Sequence, residues 1–145
     1  MRIQVEVSDE VTPAVRRYLN TTLPARRREA VEAALQDTLV AVIGQNPVET
    51  ARSRAAWVSS LEQLGGTPPA GWQGLQPSGE ADGRIAGQLS RQHEPDITAV
   101  SATNSVSYVG FLEYGTSRTS PFSMVRRALR QARQQTLDRL RQLFR

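Results

Sequence analysis

The chain contains a single histidine, His93, in the run Gln92-His93-Glu94-Pro95-Asp96, and it has no cysteine. An imidazole does acid-base or metal work only when a nucleophile or further ligands converge on it. Nothing near His93 supplies them, so it reads as a surface residue in a proline-containing loop. Without cysteine there is no thiolate nucleophile, no cysteine zinc site and no disulfide. Lysine is absent as well, because all 18 basic residues are Arg, and this removes Schiff-base chemistry and the P-loop. The run Glu80-Ala81-Asp82-Gly83 has two carboxylates but falls short of the ligand count of a calcium loop and reads as a polar turn. No glycine-rich phosphate cradle and no nucleophile elbow occurs. These residue types lead to the expectation of a protein that is not an enzyme, holds no metal or cofactor and takes no small-molecule substrate.

What the sequence does concentrate is arginine. Between Phe122 and Arg145 lie seven Arg against one acid, Asp138, so this stretch carries +6 and the remainder about −2 of a total of +4. Such asymmetry points to an acidic partner, either a protein surface or a nucleic acid. Arg126, Arg127, Arg130, Arg133, Arg139 and Arg141 alternate with Gln131, Gln134, Gln135 and Gln142, with no aromatic stacking platform among them. Three readings are open: the solvated face of an amphipathic helix, phosphate neutralisation on DNA, and bidentate ion pairs to carboxylates of neighbouring subunits. The third is the one we expect.

The elements that would carry these residues follow from hydrophobic spacing. Ile3, Val5 and Val7 alternate with polar residues, which predicts a strand, and Ser8-Asp9-Glu10 reads as the cap of a short helix over residues 11–19. Val31, Leu35, Leu39 and Val42 predict a longer helix from Pro24 to about Ile43, stopped by Gly44-Gln45-Asn46-Pro47. Residues 50–64 suit helix and strand about equally well. Residues 65–83 contain six of the ten Gly and three of the eight Pro, a composition that predicts a long loop. Its Trp72 and Leu75 either await a partner or fold back on their own domain. Residues 97–102 and 105–109 read as two strands of a hairpin turning at Thr103-Asn104. After Pro121, the stripe Phe122, Val125, Leu129, Ala132, Thr136, Leu140 and Leu143 predicts an amphipathic terminal helix. The expected fold is therefore α+β, a single domain over residues 1–145. A small antiparallel sheet with a hairpin packs on a long helix and an amphipathic C-terminal helix, with a flexible loop at about 65–83. No run approaches the length of a membrane-spanning helix and no signal-peptide block opens the chain, so no membrane partner is expected and synthesis in the cytoplasm is.

Two segments resemble the neck or tail-completion proteins of long-tailed phages, the gene-product-ten family of lambda-like phages. Asn46-Pro47-Val48-Glu49-Thr50-Ala51-Arg52-Ser53-Arg54-Ala55-Ala56-Trp57 is similar to that family's Pro-Val-Asp-Thr-Gly-Arg-x-Arg-x-x-Trp stretch. Asn104-Ser105-Val106-Ser107-Tyr108-Val109-Gly110-Phe111-Leu112-Glu113-Tyr114-Gly115 is similar to its Asn-x-x-x-Tyr-Ala-x-x-Leu-Glu-Tyr-Gly core, and Ser120-Pro121-Phe122-Ser123-Met124-Val125-Arg126 to the start of its terminal helix. Together these cover about a fifth of the chain, in the family's order. Ala51 and Glu49 stand where the family has Gly and Asp, which leaves open whether that turn is left-handed.

The resemblance implies a virion protein, assembled in the host cytoplasm, that forms a ring at the head-tail junction. Its partners would be copies of itself and the neighbouring head-connector and tail proteins, with genomic DNA passing through the channel without specific recognition. A tail-terminator ring is the alternative within this class, and a small basic nucleic-acid-binding protein the alternative outside it. The candidate subunit or partner contacts are Arg52, Arg54, Trp57, Trp72, Glu113, Tyr114 and the six arginines of the terminal helix. The Leu-Glu-Tyr-Gly run reads as a strand leaving the sheet, with Leu112 anchored in the core and Gly115 allowing a reversal. Glu113, if buried, is expected to pair with Arg52 or Arg54.

Overall fold

A computed structural model describes Gln4 and residues 11–143. The strand expected over Ile3, Val5 and Val7 and the cap Ser8-Asp9-Glu10 lie outside the described residues. Among the described residues, six α-helices and one hairpin follow in the order α1 (Val11–Arg17), α2 (Leu23–Gln45), α3 (Arg52–Gln63), α4 (Glu80–Ile85), β1 (Gly87–His93), β2 (Thr98–Asn104), α5 (Val109–Tyr114) and α6 (Met124–Leu143). The α+β class, the long helix and the C-terminal helix are as the sequence leads one to expect.

α1 and α2 are not separate. A π-helical turn, Tyr18–Thr22, joins them, and its flanking residues Arg17 and Leu23 keep right-handed helical angles. Pro24 explains the turn: it has no N–H to donate and its ring would press on the preceding turn's carbonyl, and the wider π turn relieves both. The result is one rod over residues 11–45, about 50 Å long at 1.5 Å per residue. Its end falls where expected but for a different reason. Gly44 is still helical, and the stop is Asn46, extended at φ −71° and ψ 122° because Pro47 follows it.

α2 is buried on two sides. Leu39 and Ile43 join Ala51, Ala55, Val58, Leu61 and Trp72 in the larger core, while Val42 meets Met124 and Ala128 of α6 in a smaller one. Trp57 of α3 packs against both clusters. The ambiguous segment is thus the helix α3, resolved by tertiary burial of Ala55, Val58 and Leu61 against α2. The left-handed turn is present: Ala51, ahead of α3, has φ 63° and ψ −4° although it is not glycine. α6 runs antiparallel to α2, with Met124 and Ala128 near Val42 and Arg139 beside Asp37. Its buried stripe is Met124, Ala128 and Ala132; of the expected stripe Ala132 is buried and Val125, Thr136 and Leu140 are half-buried, whereas Leu129, 54% exposed, and Phe122 lie outside it. Small residues at the contact allow the two helices to approach closely, which displaces the bulky leucines to the edges.

The hairpin is shifted from its expected position. β1 pairs antiparallel with β2 from Gly87↔Asn104 to His93↔Thr98, turning through residues 94–97, where Glu94 N–H donates to the Ile97 carbonyl at 2.8 Å. Residues 105–109 are not a strand; they lead into α5, so the Leu-Glu-Tyr-Gly run ends a helix and does not leave a sheet. The expected loop is shorter too, since α4 occupies its last part. The sheet starts directly on α3: a methyl group at Gly87 would collide with the Ala56 carbonyl oxygen, and one at Gly83 with that of Arg52.

Candidate assembly interface

The two family-like segments, about fifty residues apart in sequence, are tied together in space. Asn46 is fully buried, and its Nδ2 donates to Ser53 Oγ at 3.0 Å. Asn104 Nδ2 donates to the Ser53 carbonyl at 3.0 Å, while its Oδ1 accepts the Val106 N–H at 3.1 Å. That second bond is an Asx-type turn, and it ends β2 at Asn104. Arg54 Nε donates to the Asn46 carbonyl at 2.6 Å and its Nη1 to the Trp72 carbonyl at 3.1 Å. Burial lowers the Arg54 pKa from its ordinary value, yet guanidinium stays charged throughout the usual pH range. Arg54 is therefore a clasp between α2's end and the loop carrying Trp72, not a contact reaching outward.

Glu113 is buried, as one of the two expectations had it, but its partner is Arg126 and neither Arg52 nor Arg54. Its carboxylate accepts the N–H groups of Val125 at 2.9 Å and Arg126 at 3.2 Å, and the Arg126 Nε at 2.9 Å. Those N–H groups belong to the first turn of α6 and have no partner within the helix, so a carboxylate from α5 caps α6. Arg126 also donates to the Glu113 carbonyl and to Ser123 Oγ, both at 2.9 Å, and its guanidinium lies 5.1 Å from the Tyr114 ring centroid. Ser123 takes φ 52° to turn the chain into α6. Desolvation pushes the Glu113 pKa up, but the Val125 N–H, the Arg126 side chain and N–H, and the Arg126 charge outweigh it, and the group sits below its ordinary value. Gly115, at φ 76°, provides the reversal expected of it, since a side chain there would press on Thr119 and Pro121.

Between the segments lies a groove of about 500 Å³ lined by residues 47–53 with Tyr108, Leu112 and Phe122. Arg52 is exposed on its wall, and Tyr114, 72% exposed, is on neighbouring α5. Trp72 offers nothing to a partner: it is only 6% exposed, in the core, under the Arg84 guanidinium at 5.4 Å. Leu75, by contrast, is fully exposed. Trp57 is half-buried between the two cores. His93 ends β1 and is not in a loop; its Nε2 lies 3.9 Å from Glu32.

The arginines of α6 divide into two sets. Arg126 is bound to Glu113, Arg139 Nη1 lies 2.5 Å from Asp37 of α2, and Arg141 lies 3.1 Å from Asp138 on its own helix. Arg127, Arg130 and Arg133 are exposed, turned away from α2, and have no ion pair among the described residues. The opposite balance occurs at α4. Glu62 and Glu80 both close on Arg84, at 2.5 and 3.0 Å, and Asp82 is exposed on α4. The two acids raise the Arg84 pKa, the Glu62 hydrogen bond most strongly and against the opposing effect of burial. In sequence Glu80 and Asp82 read as a simple polar turn, and no local signal links them to Glu62 eighteen residues earlier. Among the described residues no group of three or more His, Asp or Glu could hold a metal ion, and no helix is long and apolar enough to cross a membrane.

Comparison of the chain with protein-family models, with curated proteins and with solved structures gives no match.

Proposed function

We propose that the chain is a non-enzymatic structural subunit of a phage or prophage particle, placed at the head-tail junction as a neck or tail-completion protein and working as one copy in a ring. One observation carries the reading. The residues on which the resemblance rests do coherent structural work together: Asn46, Ser53 and Asn104 lock the two segments to each other, and Glu113 with Arg126 caps the terminal helix. Polar residues of the two segments that share one interior network, beside a helix cap built from the same motifs, support the reading.

A ring subunit needs two different surfaces that complement each other, and the fold offers the uncompensated arginines of α6 and the acidic surroundings of α4. The terminator position within the tail is the closest variant of this reading. The unpaired Arg127, Arg130 and Arg133 also favour a second reading, a DNA-binding surface, through phosphate neutralisation. The test is assembly in a phage or prophage that encodes the chain. Deleting its gene is expected to leave filled heads and separate tails, joined again when purified protein is added. Joined, infectious particles without the chain would overturn the proposal. Submicromolar, salt-sensitive binding of DNA by the purified chain would replace it with the nucleic-acid reading.

A further inference from the structure

We infer that the outer face of α6 in one copy docks on the α4 flank of α3 in the next, through charge and one apolar contact from each side. This rests on the ring reading above and names the surfaces that would close it. On α6 the outward side carries exposed Arg127, Arg130 and Arg133, with exposed Leu129 at its edge, one turn before Arg133. On the other flank, Glu62 and Glu80 close on Arg84, while Asp82 and Ile85, the latter 80% exposed, stand in solvent one turn apart on α4. Arg52 is exposed on α3 close to the start of α4, and even with it included three carboxylates face two guanidinium groups. One surface is thus surplus in positive charge and the other in negative charge, and each carries a large apolar side chain left in solvent.

Their placement fits head-to-tail repetition. α6 packs on α2, α2 on α3, and α4 on α3. Trp57 reaches the α6-side cluster, whereas α4 lies against Arg52 and Ala55. At 100° per residue these point roughly 140–160° away from Trp57. The two surfaces therefore stand on opposite flanks of the subunit, where they cannot satisfy each other within one copy but can between copies. A contact of unlike surfaces of this kind repeats around a ring, whereas a self-complementary patch would stop at a dimer. Aliphatic centres ringed by paired charges are a common arrangement for a specific interface.

The absence of cysteine makes the test direct. Leu129→Cys and Ile85→Cys proteins are prepared separately, mixed and oxidised mildly. The expected result is a mixed disulfide dimer well above the level given by Leu129→Cys with Val15→Cys, an exposed position on α1. That product should be lost when the Leu129→Cys protein also carries Arg130→Glu and Arg133→Glu, and lost in 1 M salt, where charges are screened beyond about 3 Å. It should return when the Ile85→Cys partner carries Glu80→Arg and Asp82→Arg, a recovery that misfolding of either variant could not produce. A mixed product no greater than the Val15→Cys control, or one indifferent to both charge reversals, overturns the contact. Sedimentation of the wild-type chain keeps the two ideas apart: assemblies without the mixed disulfide sink this contact alone, and no assembly without it sinks the ring as well.

Discussion

Glu113 illustrates how far a side chain's role can be read before its neighbours are known. Its burial is one of two readings the sequence leaves open, but its partner is not legible there, because Arg126 is thirteen residues away and becomes a neighbour only when Ser123 turns the chain into α6. The consequence is measurable. Glu113→Gln keeps the shape but removes the charge from the cap of α6, and is expected to cost about 1–3 kcal/mol at neutral pH. Because the folded pKa lies below the ordinary value, the stabilisation is fully present above the unfolded glutamate pKa of about 4.3. It is lost as pH falls through the folded value. Denaturant titrations of the two proteins should therefore differ at pH 7 and converge in acid. A difference that persisted unchanged at pH 3 would show that the cap is not electrostatic.

Helices are legible where one face is apolar at regular spacing, as in α2, and the hairpin is not, for a reason visible in β1. Gln88-Leu89-Ser90-Arg91-Gln92-His93 contains one apolar residue, so the strand has no alternating pattern to detect; it is held instead by pairing with β2 and by the Ser60 hydroxyl donating to the Gln88 carbonyl at 3.1 Å. Its first residue carries the packing constraint. Gly87 lies on the α3 backbone, and Gly87→Ala would drive a methyl group into the Ala56 carbonyl oxygen. The expected cost is about 1–3 kcal/mol or more, typical of overpacking against an immobile group. Gly44 provides the opposite case: it is helical and exposed, and a methyl group added there would meet only open space. Gly44→Ala is expected to stabilise by about 0.5–1 kcal/mol through lower unfolded-state entropy and better helix propensity. Thermal melts of both variants check the pair, and a neutral Gly87→Ala would mean that the sheet does not sit directly on α3.

Across the whole chain, the long glycine- and proline-rich segment is where composition misleads most. Six glycines and three prolines between residues 65 and 83 predict a long loop and leave open whether Trp72 awaits a partner or folds back; its course is fixed from within. Trp72 fills the core beside Leu39, Ile43 and Leu61, its carbonyl is held by Arg54, and its ring lies under Arg84, itself fixed by Glu62 and Glu80. One buried tryptophan can order a segment that is otherwise polar, because an aromatic side chain buries more apolar area than any other residue type. Composition averages over the segment and so hides this single anchor. Hydrogen exchange decides the matter. Residues 71–74 and the α4 turn are expected to be protected in the free subunit and to change little on assembly, apart from the flank around Glu80 and Asp82 where a neighbouring copy would sit. Trp72→Ala is expected to cost about 3–5 kcal/mol, the range for removing a core aromatic, and to expose the amides of residues 65–83 together. If those amides instead exchange freely in the wild-type subunit and gain protection only in assembled particles, Trp72 belongs to an interface and a partner completes the core.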